Sequence, residues 1–93
     1  MRIQDNILTI SLLDKQYYSV SFGSDIFGEW SLIPMKKNGP NWIFQINNDH
    51  KRFQYKFFIN SKIWMIDPLN SKKIRVPKPY EGFNSVFDIS EDD

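Results

Sequence analysis

Cysteine is absent from this chain, and so is alanine. Without cysteine there is no disulfide framework, no thiolate metal site and no thiol nucleophile, and the chain suits a reducing compartment, so a cytoplasmic location is expected. Without alanine the best helix former is missing, and only five Leu stand against twelve Ile, eight Phe, four Tyr and three Trp. Those residue types favour strands, so composition points to an all-β chain. Charge of one sign is also lacking: twelve basic residues meet eleven acidic ones for a net charge of +1. No global positive field draws in nucleic acid, and none is expected as a partner. No apolar run approaches the roughly 18 residues of a membrane helix. The stretch Ile7 to Leu13, broken by Thr9 and Ser11, is too short and polar for a signal-peptide core. No Asn-x-Ser/Thr acceptor occurs. The chain is expected to be soluble and unsecreted, with no membrane partner.

What is there is enough for one ordered domain. Ninety-three residues with 41% apolar content sit in the range where a single core folds alone. The expected domain is 1–93, with the core in 7–89 and a frayed acidic tail at Ser90-Glu91-Asp92-Asp93. The starting Met1 and that acidic end are those expected of a whole gene product.

Strand signals follow closely on one another. Ile7 to Leu13 is apolar and β-branched, Asp14-Lys15-Gln16 reads as a polar turn, and Tyr18, Val20 and Phe22 then alternate with Tyr17, Ser19 and Ser21. The two runs are expected to form a hairpin around Asp14 with Tyr18, Val20 and Phe22 on one buried face. Gly23 to Trp30 reads as a loop carrying two large aromatics. Pro34 limits Ile33-Pro34-Met35 to an edge strand, and Asn38-Gly39-Pro40-Asn41 is the clearest turn. Trp42, Phe44 and Ile46 then alternate with Ile43, Gln45 and Asn47. The strongest strand runs from Arg52 to Asn60, with Phe53, Tyr55, Phe57 and Ile59 inward and Gln54, Lys56, Phe58 and Asn60 outward. A tight turn at Asn60-Ser61-Lys62 leads to the strand Ile63 to Ile66, which Asp67-Pro68 ends. Ser71 to Pro79 reads as a looser basic segment, and Asn84 to Ile89 as the last strand. About seven short strands at close spacing argue for a β-sandwich or a small barrel.

The chemical inventory is mostly negative. His50, the single histidine, sits in a polar bend without neighbouring ligands. No nucleophile elbow, phosphate loop or dinucleotide fingerprint is present. Asp25, Glu29, Asp67 and Glu81 all fall in loops or turns, where they read as loop residues rather than a carboxylate pair flanking a cleft. No catalytic residue, metal site or cofactor is expected, and the chain is not expected to be an enzyme. The aromatics divide differently. Trp42, Phe44, Tyr55, Phe57 and Phe87 belong with a core. Trp30 sits in a loop where an exposed ring is as reasonable as a buried one. Trp64 lies in an all-apolar strand whose face periodicity does not choose, and core packing is its default reading. Lys56 points outward between inward neighbours, and Phe58 on the same face needs cover from a loop or partner.

Several landmarks occur in order: Phe27-Gly28-Glu29-Trp30, Pro34-Met35, Gln54-Tyr55-Lys56-Phe57-Phe58-Ile59-Asn60, Trp64-Met65-Ile66-Asp67-Pro68 and Gly82-Phe83-Asn84-Ser85-Val86. This string resembles the glycogen- and starch-binding module of the AMP-activated protein kinase β subunit, which also precedes the catalytic domain of branching enzymes and isoamylases. The resemblance implies an immunoglobulin-like β-sandwich of the early-set type and a non-catalytic function, binding of an α-glucan polysaccharide or maltooligosaccharide. By motif position it implies a carbohydrate surface made of Trp30, Lys56, Trp64 and Asn84, with Tyr80 as a further ring. A glucan-metabolising enzyme or a kinase is the protein partner such modules imply. The Trp30 loop is longer than in the kinase-type module, through Asp25-Ile26. The segment Lys72 to Pro79 is expanded, and Gly82 stands where some relatives carry a hydroxyl residue.

The residue chemistry suits that ligand. A pyranose presents an apolar C–H face that lies on an indole, while its hydroxyls meet the Lys56 donors and the donor and acceptor of the Asn84 amide. Two other readings use the same residues. A protein-interaction domain keeps the sandwich without the sugar site, and would bury Trp30 and Trp64. A small single-strand nucleic-acid binder of the OB type would use Lys72, Lys73, Arg75 and Lys78 with the aromatics, against the near-neutral charge.

Overall fold

The alternation of Phe53, Tyr55, Phe57 and Ile59 dictates the centre of the molecule. In the computed structural model, which describes residues 2–77 and 82–89, these four side chains are buried on one face of a single eight-residue strand. Ten strands are present among the described residues: β1 (Arg2–Gln4), β2 (Ile7–Leu13), β3 (Val20–Ser24), β4 (Ile33–Pro34), β5 (Lys36–Asn38), β6 (Asn41–Asn47), β7 (Arg52–Ile59), β8 (Ile63–Met65), β9 (Lys73–Arg75) and β10 (Phe83–Asp88). The only helical turn among them is a three-residue 3-10 turn at Gly28–Trp30. The strands make two antiparallel sheets. One has four strands in the order β1-β2-β6-β5. The other has six, in the order β4-β3-β7-β10-β9, with β8 pairing the far end of β7. The sheets pack face to face as an immunoglobulin-like β-sandwich, in agreement with the expected fold class, and do not close into the barrel an OB fold requires.

The core is the inner side chains of both sheets. Leu8, Ile10, Leu12 and Phe44 face Val20, Phe22, Phe53, Tyr55, Phe57 and Phe87, all nearly inaccessible to solvent. Phe22 of β3 stacks on Phe44 of β6 across the layer at 4.2 Å between centroids. Phe53 stacks on Phe87 at 4.9 Å. Each such ring contributes about 1.5–3 kcal/mol by leaving water, so the aromatic share of the chain supplies much of what holds the sheets together. Trp42 is only partly buried against this core, because its indole N–H reaches Asp14 Oδ1 at 3.0 Å.

Three strands exceed the expected seven. β1 forms a hairpin with β2 through Asp5 and Asn6, both at positive φ (53° and 62°), the geometry of a two-residue primed turn that Asp and Asn tolerate. β5 pairs with β6 across the Asn38–Asn41 turn. β9 lies within the basic segment read as loose, where it adds an edge strand to β10. The hairpin expected around Asp14 does not form. β2 pairs with β1 and β6, whereas β3 pairs with β4 and β7 in the other sheet. Tyr18 is 91% exposed rather than inward. Side chains capture the backbone there: Asp14 Oδ1 accepts the Tyr17 N–H, and the distant Asn60 Oδ1 accepts the N–H groups of Tyr18 and Ser19. The segment is held as a crossover between sheets, and alternation restarts only at Val20. The acidic tail at 90–93 lies outside the described residues.

Candidate functional site

Where Trp64 points is decided by a turn. Asn60 and Ser61 both adopt positive φ (54° and 55°), and the Lys62 N–H closes on Ile59 O at 2.9 Å. This tight turn sets the register Ile59↔Ile63, Phe58↔Trp64 and Phe57↔Met65. Since Phe57 and Ile59 are buried in the core, Trp64 joins Phe58 on the outer face and stays 45% exposed. Core packing, the default reading of Trp64, is thereby corrected. Its ring also gives Phe58 the cover that an outward phenylalanine needs, at 4.7 Å between centroids and a 40° tilt.

The indole then reaches across the sheet. A Cβ placed on Gly23 of β3 would lie 3.1 Å from Trp64 Cζ3, 3.3 Å from Cη2 and 3.2 Å from Leu32 Cδ2. Gly23 is not among the glycines at positive φ, so its backbone has no conformational need for glycine. What the missing side chain provides is space for the close approach of the indole to the strand.

Lys56 is the register neighbour of Gly23 and shares the outer face. It is half-buried, makes no hydrogen bond or ion pair among the described residues, and its Nζ lies 4.0 Å from where a Gly82 Cβ would stand. Burial disfavours its charged form and lowers its pKa below the ordinary lysine value. Asn84 lies on β10, one step beyond the pair Ser85↔Tyr55 and hence beside Lys56. Its side chain is 7% exposed and donates to Gln54 Oε1 at 2.9 Å. Gln54 was not singled out in the sequence, where an outward polar residue carries no signal. Here it fixes the Asn84 amide, and its own backbone N–H is held by Asp25 Oδ1 at 3.0 Å. Together Trp64, Lys56, Asn84 and Gln54 form one continuous patch on the outside of the six-stranded sheet.

Trp30 stands at the margin of that patch. Its loop leaves β3 after Ser24 and re-enters at β4 through Leu32, the residue that abuts the Trp64 seat. Glu29 and Trp30 both sit at positive φ (56° and 58°), which costs about 1–2 kcal/mol per non-glycine residue and is held by Trp30 N–H to Phe27 O at 2.9 Å. The Trp30 ring is half-buried, and no ring contact joins it to Trp64 among the described residues. Tyr80, the remaining expected site residue, lies outside the described residues.

A buried polar network holds the far end of β8. The Tyr55 hydroxyl donates to Asp67 Oδ2 at 2.7 Å, the Asp67 N–H donates to Ser85 Oγ at 2.7 Å, and Asn70 Nδ2 reaches both the Tyr55 hydroxyl and Val86 O. Asp67, read from sequence as a loop residue, is therefore a 5% exposed anchor between β7, β8 and β10. It holds the exit from the Trp64 strand against the sheet.

Two hollows lie away from the patch: one of about 520 Å³ beside Arg2, Thr9, Gln45 and Asn47, and one of about 450 Å³ near Ile3, Leu69 and Ile89. No group of three metal-ligating His, Cys, Asp or Glu side chains exists among the described residues, and His50 is exposed with its ring edge-on to Phe53. No helix among them is long and apolar enough to cross a membrane. Lys73 and Arg75, which the nucleic-acid reading would use, lie 4.8 and 5.2 Å from the Phe83 ring on edge strand β9. No protein-family model matches this chain, and no curated protein matches it.

Proposed function

We propose that the outer face of the six-stranded sheet is a non-catalytic α-glucan-binding surface, with Trp64 as its stacking platform. The observation that carries this reading is a 45% exposed indole whose outer carbons close on the bare backbone of Gly23, beside a half-buried lysine whose side chain has no partner among the described residues. A large rigid ring offers an apolar platform at low entropic cost, and the Lys56 donors are available for sugar hydroxyls. The Asn84–Gln54 amide pair supplies a fixed polar rim. Trp30, at the margin of the patch, belongs to the proposed site, and Tyr80 remains a proposed member that lies outside the described residues. Each sugar hydrogen bond replaces one to water and adds only about 1 kcal/mol, so a single short chain binds in the micromolar to millimolar range. Linked or clustered copies on a glycogen particle bind far more tightly than that. Such a module acts in the cytoplasm, alone or by bringing a glucan-metabolising enzyme or kinase to its polymer.

The second reading, a protein-docking face that binds no sugar, draws on Leu32 and Ile74, which are 40% and 39% exposed, whereas the 45% exposed Trp64 counts against the buried rings that reading expects. Co-sedimentation with glycogen separates the two. The glucan reading expects the wild-type chain to pellet, and Trp64→Ala to stay in the supernatant with its circular dichroism unchanged. Wild-type protein that remains soluble, with no tryptophan fluorescence change on adding maltooligosaccharide, rules the sugar surface out and leaves docking.

A further inference from the structure

We infer that Lys56 is a covalent modification site: its side-chain amine, unpaired on the open sheet face beside Gly82 and the Trp64 seat, condenses with the aldehyde of a reducing sugar. The geometry separates this lysine from the others. Lys37 pairs with Asp14 at 3.0 Å, Lys73 lies against the Phe83 ring, and Lys15, Lys36, Lys51 and Lys62 are exposed to water. Lys56 alone among the described lysines is half-buried with no hydrogen bond, ion pair or ring contact. A Cβ at position 82 would stand 4.0 Å from the amine, and the glycine there leaves that place empty. Loss of hydration lowers the amine's pKa, so more of it is in the neutral, nucleophilic form at a given pH. The inference rests on the glucan reading in one respect, that stacking on Trp64 brings the sugar to the amine.

The chemistry needs no oxidant or reductant. The Nζ lone pair adds to C1 of the open-chain aldehyde, the carbonyl electron pair moves to oxygen, and one Nζ proton passes to that oxygen. The resulting carbinolamine loses its hydroxyl, which leaves as water with the second Nζ proton. This leaves a C1=Nζ double bond.

Two probes test it on the folded chain at neutral pH, read by peptide mapping with mass spectrometry. One is maltose with cyanoborohydride, whose hydride traps the imine as a stable secondary amine. The other is limiting N-hydroxysuccinimidyl acetate, which reports amine reactivity without a sugar. Lys56 is expected to carry several-fold more of either label than Lys51 or Lys62, and the preference disappears in denatured protein. Trp64→Ala lowers the maltose preference to the acetylation ratio. Equal maltose labelling of Lys56, Lys51 and Lys62 overturns the inference, whatever the acetylation pattern. If glycogen still pellets the protein in that case, the glucan reading survives alone. If maltose prefers Lys56 in both the wild type and Trp64→Ala while glycogen pellets neither, the modification site stands and the glucan surface falls.

Discussion

Replacing Gly23 with alanine tests the Trp64 seat most directly. The added methyl would stand 3.1 and 3.3 Å from two indole carbons and 3.2 Å from Leu32 Cδ2, where ordinary carbon contacts are about 3.5–4.0 Å. Something must move by roughly half an ångström. β3 is tied on both sides, to β4 and to β7, while the indole is the far end of a 45% exposed side chain. The ring therefore tilts and the strand stays. For the fold, the loss of indole packing on the strand is offset by the entropy that glycine no longer loses, about 0.5–1 kcal/mol. Net stability changes by no more than about 1 kcal/mol, or roughly 4–8 °C in Tm. For the proposed surface, a tilted platform weakens stacking by about 1–1.4 kcal/mol, five- to tenfold in Kd for maltoheptaose. Near-UV circular dichroism, thermal unfolding and titration with that sugar read the three effects separately. Gly28→Ala is the control, because no atom lies within 4 Å of its would-be Cβ. If Gly23→Ala leaves the near-UV tryptophan signal and sugar affinity as in Gly28→Ala, the seat has no role and the reasoning fails.

Three further outcomes follow from polar contacts. Burial, with the Asp67 carboxylate adding to it, holds the Tyr55 phenol well above its ordinary 10.0. The folded state keeps a proton that the unfolded chain releases above that value, so stability is full below pH 10 and falls as pH rises past it. Tyr55→Phe should flatten this alkaline loss while costing about 1–3 kcal/mol at pH 7 by orphaning Asp67 Oδ2, both readable from urea titrations. Asp14 is held at a pKa of about 2 by the Trp42 indole N–H, the Tyr17 backbone N–H and Lys37. Its contribution is present above its unfolded value of 3.8 and is lost as pH falls toward 2. The Tm advantage of wild type over Asp14→Asn should narrow between pH 5 and pH 2, and a constant gap refutes the assignment. Asn60→Ala removes the acceptor for the Tyr18 and Ser19 N–H groups at 2.6 and 3.1 Å and puts alanine at positive φ. A loss of about 2 kcal/mol in chemical denaturation is expected, and a change under 0.5 kcal/mol counts against the clamp.

Legibility differed strand by strand for physical reasons. β7 was readable because its two faces differ in polarity, so period two shows which side is buried. Pro34 likewise marked β4 as an edge, since a missing N–H has no place inside a ladder. β1, β5 and β9 were not readable. They are three-residue edge strands, each fully exposed, and take their conformation from a neighbour rather than from their own pattern. Tyr18 misled because alternation was read through a segment whose backbone is captured by the Asp14 and Asn60 side chains. At the site, the outward direction of Lys56 came from alternation, while its place among the site residues came only from the family resemblance. Gln54 left no trace in the sequence, whereas Gly23 left one that was legible in principle: a glycine inside a strand marks a close approach.

The sequence by itself determined an all-β chain, sandwich or small barrel, around one aromatic core, because β-branched and aromatic residues without alanine leave the backbone no better way to bury them. Only the tertiary structure decided which aromatics were surplus to that core. In the run Ile63 to Ile66 every residue is apolar, so hydrophobicity assigns no face. The register fixed by Asn60 and Ser61 sets Trp64 opposite Phe58, and a glycine two strands away makes room for the outer edge of its ring. That choice depends on residues about forty positions apart, which no local pattern contains.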